Sequence, residues 1–135
     1  MREVLIVDDN PADASLVRRA LLEGGVCGSV LLAEDGPEAL DRLRRPGGRP
    51  DLVLLDLNLP GMTGQEILSE IRKDPSLRGL PVVVLSGSSW EGDAAEARAL
   101  GADLYLVKPD DLDGFLRVAQ ALRGVLERKR EGETA

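Results

Sequence analysis

Five side chains with reactive groups lie at the carboxyl ends of apolar runs in this chain. They are three carboxylates, one hydroxyl and one ammonium group, on Asp8, Asp9, Asp56, Ser86 and Lys108. Apolar runs without polar alternation are typical of parallel strands that are covered on both faces. Because the carboxyl ends of parallel strands meet at one edge of a sheet, we expect these side chains to share one crevice.

Three carboxylates in one crevice repel each other, so either some hold protons or a cation neutralises them. The chain has no histidine, and a site of oxygen donors favours Mg²⁺ over zinc. Mg²⁺ beside a hydroxyl and an ammonium group suits the binding of a phosphoryl group. Lys108 would pair with the phosphoryl oxygens, and the Ser86 hydroxyl would donate a hydrogen bond to one of them. No glycine-rich Walker loop follows the first run, which disfavours a bound nucleotide. We expect Asp56, in the central run, to take the phosphoryl group covalently.

Strand and helix patterns alternate along the chain. The apolar runs predict strands at 4–7, 29–33, 52–55, 81–85 and 104–107. Helical spacing, bounded by proline and glycine breakers, predicts helices at 11–23, 36–43, 65–73, 90–100 and 112–129. Five such units form a doubly wound α/β fold, a parallel sheet with helices on both faces. The second strand is the most polar, which places it at an edge.

Composition restricts the class of protein. At 135 residues, with 43% hydrophobic and 30% charged residues, the chain is typical of one globular domain. A net charge of −7 makes nucleic acid and anionic membranes poor partners. A single cysteine cannot form an internal disulfide. No apolar run approaches the ~20 residues of a membrane span. The first strand starts too close to Met1 to leave room for the apolar core of a signal peptide. We therefore expect a cytoplasmic protein.

These motifs and their spacings resemble the receiver domains of two-component response regulators. The matching motifs are Asp8-Asp9, Asp56 within Leu-Leu-Asp-Leu-Asn-Leu-Pro-Gly-Met, Ser86-Gly87 and Lys108-Pro109. The resemblance extends from residue 4 to about residue 125. It implies a flavodoxin-like five-stranded sheet of order 2-1-3-4-5 with five helices. It also implies a stand-alone receiver domain, which we place at 1–129. The charged composition from Arg130 onward predicts a short, disordered tail at 130–135.

The resemblance implies a role for each acidic residue. Asp56 would accept a phosphoryl group from a histidine kinase, and the protein would catalyse only its own phosphorylation and dephosphorylation. Mg²⁺ would be held by Asp9, Asp56 and the backbone carbonyl of Asn58. Asp8 would act mainly through a water molecule.

The resemblance also assigns the residues around the phosphoryl group. Lys108 would pair with its oxygens, the bond from Lys108 to Pro109 would be cis, and the Gly87 N–H would contact the phosphoryl group. Ser86 would turn toward it, and Tyr105 would occupy the position of the family's switch aromatic. The lifetime of the phosphorylated state would depend on two residues near the path of the attacking water, Asn58 and Ser88.

Within the family, the chain is most similar to receivers that are paired with bacterial phytochromes. The shared features are the Asn-Pro-Ala-Asp helix start, the Asp-Pro-Ser-Leu turn and the Lys-Pro-x-Asp-Leu ending. We therefore expect a sensor histidine kinase as partner, in particular a bacterial phytochrome, and output by protein contact or transfer to a relay protein. The chain departs from many receivers after Lys-Pro, where it has Asp110, Asp111 and Asp113 instead of a phenylalanine and its neighbours.

The last two helices carry expectations about motion and assembly. The fourth helix turns mostly alanines inward, which predicts weak docking and mobility. On the fifth helix, Val118, Ala121 and Val125 widen the apolar arc beyond the usual ~100°. This predicts a homodimer through the face of the fourth helix, fifth strand and fifth helix. Trp90 is either an exposed staple or a partner contact.

Three alternatives have different sequence requirements. A haloacid-dehalogenase-like phosphatase needs an Asp-x-Asp motif on its first strand, which is absent. A flavodoxin-like flavin binder needs a phosphate loop of Ser, Thr or Gly after that strand, where Asp-Asp-Asn-Pro would repel a phosphate. The third alternative is a degenerate receiver that binds partners without phosphorylation, although every acid, hydroxyl and amine of the motif is present.

Overall fold

A computed structural model describes residues 2–134, with side-chain surroundings for residues 2–128. The strands are β1 (Glu3–Val7), β2 (Ser29–Ala33), β3 (Leu52–Leu55), β4 (Val82–Ser86) and β5 (Leu104–Val107). The helices are α1 (Pro11–Glu23), α2 (Gly36–Arg44), α3 (Gly64–Lys73), α4 (Glu91–Ala99) and α5 (Leu112–Thr134), with a 3₁₀ turn at Pro75–Leu77. The predicted alternation of strand and helix is confirmed.

The five strands form one parallel sheet in the order β2-β1-β3-β4-β5. This confirms the flavodoxin-like fold, with the more polar β2 at an edge. Strand β3, which leads into Asp56, is the central strand and pairs with β1 and β4. The carboxyl ends of β1, β3 and β4 are therefore neighbours.

Alternate residues of the central strands enter two cores, one on each face of the sheet. Ile6 and Leu54 pack on the face that α1 and α5 cover, and Leu5 and Leu55 pack on the face that α2 and α3 cover. All four residues of β3 are buried, as the run without polar alternation predicts. The strand that carries Asp56 is thus fixed from both sides.

Helix α5 differs from its prediction on one face. Val118 and Val125 are each only 6% exposed and belong to the core between the sheet, α1 and α5. The wide apolar arc is explained by burial, since α5 packs against both α1 and the sheet. The prediction that Val118 and Val125 form an apolar face toward solvent is therefore wrong.

The end of α5 also differs from its prediction. The helix continues to Thr134, beyond the predicted end at residue 129, so residues 130–134 have helical backbone instead of forming a separate tail. Glu, Arg and Lys are good helix formers, and no proline interrupts them. Ala135 lies outside the described residues. In the part of the chain that is described, no helix is long and apolar enough to cross a membrane.

Candidate functional site

The three predicted carboxylates meet at the carboxyl edge of the sheet. Asp8, Asp9 and Asp56 each offer an oxygen that lies within 4.8 Å of the other two. Asp8 and Asp56 are buried, whereas Asp9 is exposed. In the parallel pairing of β1 with β3, Val7 lies opposite Leu55. Asp8 and Asp56, the residues that follow them, therefore lie side by side. The crevice therefore has a buried floor and an open side.

Asp8 and Asp56 are held in the same way. The Asn10 N–H donates to Asp8 Oδ1 at 2.9 Å, and the Asn58 N–H donates to Asp56 Oδ1 at 3.0 Å. Each acid thus forms a turn with the backbone two residues further on, which fixes one oxygen. The second oxygen of each acid remains available to the crevice.

Lys108 brings the ammonium group to these second oxygens. Its Nζ lies 3.1 Å from Asp8 Oδ2 and 3.1 Å from Asp56 Oδ2. The Lys108 N–H donates to the Ser86 carbonyl at 2.7 Å, which continues the pairing of β4 with β5 past the end of β5. The predicted convergence of Lys108 on Asp56 is present in the structure.

Burial and charge act in opposite directions at this cluster. Burial raises the pKa of the Asp8 carboxyl, while the Asn10 N–H and the Lys108 ammonium group act to lower it. Burial alone would lower the pKa of Lys108, but its hydrogen bonds to Asp13 and Asp8, with the charges of Asp56 and Asp8, raise it well above its usual range. Lys108 is therefore a permanent cation at neutral pH. A further cation would relieve the penalty that burial places on Asp8.

Ser86 and Tyr105 meet through the loop that joins β4 to α4. Ser86 is buried, and its Oγ accepts from the Ser88 N–H at 3.3 Å. The Tyr105 hydroxyl donates to the Ser88 carbonyl at 2.7 Å. Ser88 therefore links the predicted switch serine to the predicted switch tyrosine, a connection that the spacing of the motifs does not contain. Gly87, between the two serines, is exposed and has no neighbour that a Cβ would meet.

The prediction of a cis bond before Pro109 is wrong for this structure, since the described residues contain no cis peptide bond. The trans form before proline is favoured by roughly 0.5–1 kcal/mol. Lys108 reaches Asp8 and Asp56 with the trans bond, so the contacts of its ammonium group do not require the cis form.

The acids that follow Pro109 turn away from the site in one clear case. Asp111 Oδ1 accepts from the Gly114 N–H at 2.8 Å at the start of α5, which is the role of a helix cap. Asp110 and Asp113 are exposed. The unusual acidic sequence after Lys108-Pro109 thus serves the start of α5 at Asp111.

One contact of the site, that of Asp13 with Lys108, was not predicted from the sequence. Asp13 Oδ2 lies 3.0 Å from Lys108 Nζ, yet the sequence indicated Asp13 only as the last residue of the Asn-Pro-Ala-Asp helix start. The available signal was its spacing. Asn10 caps α1 by accepting from the Ala12 and Asp13 N–H groups, so Asp13 lies in the first turn of a helix that starts beside the acidic pair.

The donor set fits a hard divalent cation. Three carboxylates converge, no histidine is present anywhere in the chain, and Lys108 can neutralise only one of the negative charges. Carboxylate and carbonyl oxygens are the ligands that Mg²⁺ and Mn²⁺ accept. Asn58 is exposed, and its N–H is used by Asp56, which leaves its carbonyl as a further donor.

Known proteins are similar to this chain over most of its length. The response regulator receiver domain family matches residues 4–120. The probable methanogenesis regulatory protein FilR2 of Methanothrix harundinacea (strain 6Ac) is 40% identical over 124 residues, which cover 89% of this chain and 80% of that protein.

Two solved structures extend the comparison. The Mn(2+)-bound form of response regulator Rcp1, a protein of Synechocystis, has a TM-score of 0.80 at 35% identity and covers 90% of this chain and 91% of its own. The phosphorylated cyanobacterial phytochrome response regulator RcpA has a TM-score of 0.78 at 39% identity, with coverages of 93% and 91%.

Proposed function

Because this chain belongs to the response regulator receiver domain family, we propose that it is the phosphoacceptor of a two-component signalling system, with Asp56 as the accepting residue. The observation that carries the proposal is the setting of Asp56. Asp56 is only 5% exposed. One oxygen of its carboxylate accepts from the Asn58 N–H, and the other accepts from the Lys108 ammonium group. A buried, oriented carboxylate beside a permanent cation is suited to nucleophilic attack on a phosphoryl group.

The proposed reaction is a transfer between two side chains. An oxygen of Asp56 attacks the phosphorus of a phosphohistidine on a sensor kinase, the new O–P bond forms, and the N–P bond breaks to release the imidazole. Lys108 pairs with the phosphoryl oxygens, the Ser86 hydroxyl donates to one of them, and the Gly87 N–H contacts another. Loss of the phosphoryl group to water follows, at a rate that Asn58 and Ser88 influence.

Mg²⁺ is the proposed cofactor. It would be held by Asp8, Asp9, Asp56 and the Asn58 carbonyl. When bound, it supplies positive charge that neutralises the charge of the phosphoryl oxygens. The convergence of the three carboxylates supports this role. The Mn(2+)-bound form of the relative Rcp1 supports a divalent cation in a protein of this family.

The proposed partners follow from the relatives. The likeness to RcpA, a phytochrome response regulator, supports a sensor histidine kinase of the bacterial phytochrome class as the phosphoryl donor. Output would pass by protein contact or onward phosphorelay, in the cytoplasm.

A homodimer through the face of α4, β5 and α5 is also proposed, because β5 is an edge strand and Val107 on it is 46% exposed. Sedimentation that shows only monomer, with and without a phosphoryl analogue, would exclude this dimer.

The test of the proposed function is covalent labelling. The protein is incubated with acetyl phosphate and Mg²⁺, and its intact mass is measured. We expect one added phosphoryl group, none in Asp56→Asn, and none when the cation is removed by a chelator. Asp51→Asn is a matched control because Asp51 lies just before the opposite end of β3, exposed, where it accepts from the Glu3 N–H.

The labelling experiment also decides between the candidates. A protein that binds Mg²⁺ but forms no adduct would be the degenerate receiver, which acts as a binding module without phosphorylation. An adduct that persists in Asp56→Asn would place the phosphoryl group on another residue and refute the proposal.

A further inference from the structure

The ammonium group of Lys108 has three carboxylate partners, and they are of two kinds. Asp8 Oδ2 and Asp56 Oδ2, each 3.1 Å from Nζ, belong to acids of the converging metal-binding set. Asp13 Oδ2, 3.0 Å from Nζ, belongs to an acid outside that set. Lys108 is therefore shared between the cation site and a separate anchor on α1.

This division matters because a divalent cation and an ammonium group compete for the same two acids. Each carboxylate has one oxygen tied to a backbone N–H, that of Asn10 or Asn58. The oxygens that face Lys108 are thus the less constrained oxygens of Asp8 and Asp56. A bound cation repels the ammonium group and weakens its hold on both acids.

Asp13 is placed so that this competition does not disturb it. Its backbone N–H is fixed by the Asn10 side chain at 3.1 Å, in the first turn of α1. A negative charge in the first turn of a helix is favoured by the helix dipole. The Asp13 side chain is 27% exposed, against 5% for that of Asp8 and 6% for that of Asp56. Its charge therefore costs less desolvation than the two buried charges do.

We propose that Asp13 is a positioning residue that holds Lys108 when the divalent cation occupies the carboxylate crevice. The ammonium group then leaves Asp8 and Asp56 without leaving the site, and it stays where a phosphoryl group on Asp56 would meet it. The last step rests on the proposed function, whereas the coupling between Asp13, Lys108 and the cation does not. Asp13 acts through Lys108 and does not itself bind the cation.

The test is calorimetric titration of the full chain with Mg²⁺. Asp13→Asn keeps the size of the side chain and removes its charge. We expect about tenfold weaker Mg²⁺ binding, the effect of a coupling of ordinary size between neighbouring side chains. Asp110→Asn is the matched control, since it removes an exposed acid two residues from Lys108 that forms no ion pair with it among the described residues. It should change the affinity less than about twofold.

A double-mutant cycle separates positioning from a simple loss of charge. Lys108→Gln removes the competing ammonium group. In that background Asp13→Asn should change Mg²⁺ affinity by less than about twofold, because the residue through which Asp13 acts is gone. Asp13→Glu, which retains a carboxylate, should restore most of the affinity in the native background.

The outcomes are distinct from those of the labelling experiment. An equal loss of Mg²⁺ affinity in both backgrounds would show a through-space effect and overturn the proposal, as would no loss in the native background. If the affinities follow the cycle but acetyl phosphate leaves no adduct, the proposed function fails and the positioning role of Asp13 stands. Thermal unfolding of each variant establishes that it is folded before titration.

Discussion

Helices α3 and α4 are successive helices of nearly equal length, ten and nine residues, and each follows a strand that carries a site residue at its carboxyl end. They are held in different ways. Helix α3 buries Ile67, Leu68 and Ile71, whereas α4 buries only Ala94 and Ala97. Since buried area sets most of the stabilisation by packing, α4 is the more weakly docked helix.

Their amino ends show the same contrast. Thr63 Oγ1 accepts from the Glu66 N–H and the Glu66 carboxylate accepts from the Thr63 N–H, which completes a capping box for α3. The corresponding residue of α4 is Trp90, whose side chain makes no capping hydrogen bond. The Ser88 hydroxyl accepts from the Trp90 N–H, one residue before α4 begins.

The contrast distinguishes the firmly packed side of the site, at α3, from the side that we expect to be more mobile, at α4. Helix α3 begins against the loop that follows Asp56, where a Cβ at Gly64 would lie 2.5 Å from Leu57 Cα and 2.6 Å from the Asp56 carbonyl oxygen. Helix α4 follows a loop whose link to β5 is the bond from Tyr105 to Ser88. We therefore expect a change at Ser86 to reach α4 through the hydrogen bonds of Ser88.

The largest predicted difference between the helices is in the cost of removing a core side chain. Ile71→Ala should lower the free energy of unfolding by about 3 kcal/mol, because Ile71 is fully buried and its truncation leaves a cavity in the core. Ala97→Gly, at the fully buried position of α4, should cost only about 1–2 kcal/mol, from helix propensity and one lost methyl group. Urea unfolding measures both.

Ala95→Gly is the matched control on α4, since Ala95 is exposed and its replacement changes helix propensity alone. It should cost about 1 kcal/mol or less. If Ala97→Gly proves as costly as Ile71→Ala, the two helices are equally anchored and the contrast fails.

The second prediction concerns the cap of α3. Thr63→Ala removes the acceptor for the Glu66 N–H and should cost about 1 kcal/mol. Thr63→Ser keeps a hydroxyl in place and should cost less than half of that. Hydrogen exchange should show the loss in the first turn of α3 with no change in α4. Equal loss of protection in both helices would mean that they unfold as one unit.

The sequence predicts the rigid part of the molecule better than it predicts the site's finer contacts. Apolar runs without alternation identified β3 and β4 because these strands are covered on both faces, and Asn10-Pro11 identified the start of α1 because its cap is local. The burial of Val118 and Val125 was missed because α5 contacts α1 as well as the sheet, which the period of one helix cannot show. Asp13 was missed for a related reason, since its partner Lys108 is 95 residues away in the chain.

The smallest expected effect comes from giving α4 the cap that α3 already has. Trp90 has extended backbone, with φ −68° and ψ 127°, similar to the −74° and 160° of Thr63. The cap conformation is therefore present, but Trp90 has no side-chain acceptor, and the Asp93 N–H donates to the Trp90 carbonyl at 3.1 Å. Trp90→Ser supplies a hydroxyl within reach of the Asp93 N–H, and it should stabilise α4 by about 0.5–1 kcal/mol.

Hydrogen exchange of the α4 amides measures this gain, and Trp90→Ala is the matched control because it removes the indole ring without adding an acceptor. The ring lies against Gly92, but Trp90 as a residue is 69% exposed. Loss of the ring should therefore remove little packing. Slower exchange in Trp90→Ser than in Trp90→Ala would show that α4 is loose partly because its amino end is uncapped. Equal exchange rates in the two variants would mean that the weak docking of α4 comes from its alanine core alone. A cap would then have no effect on the exchange of the α4 amides.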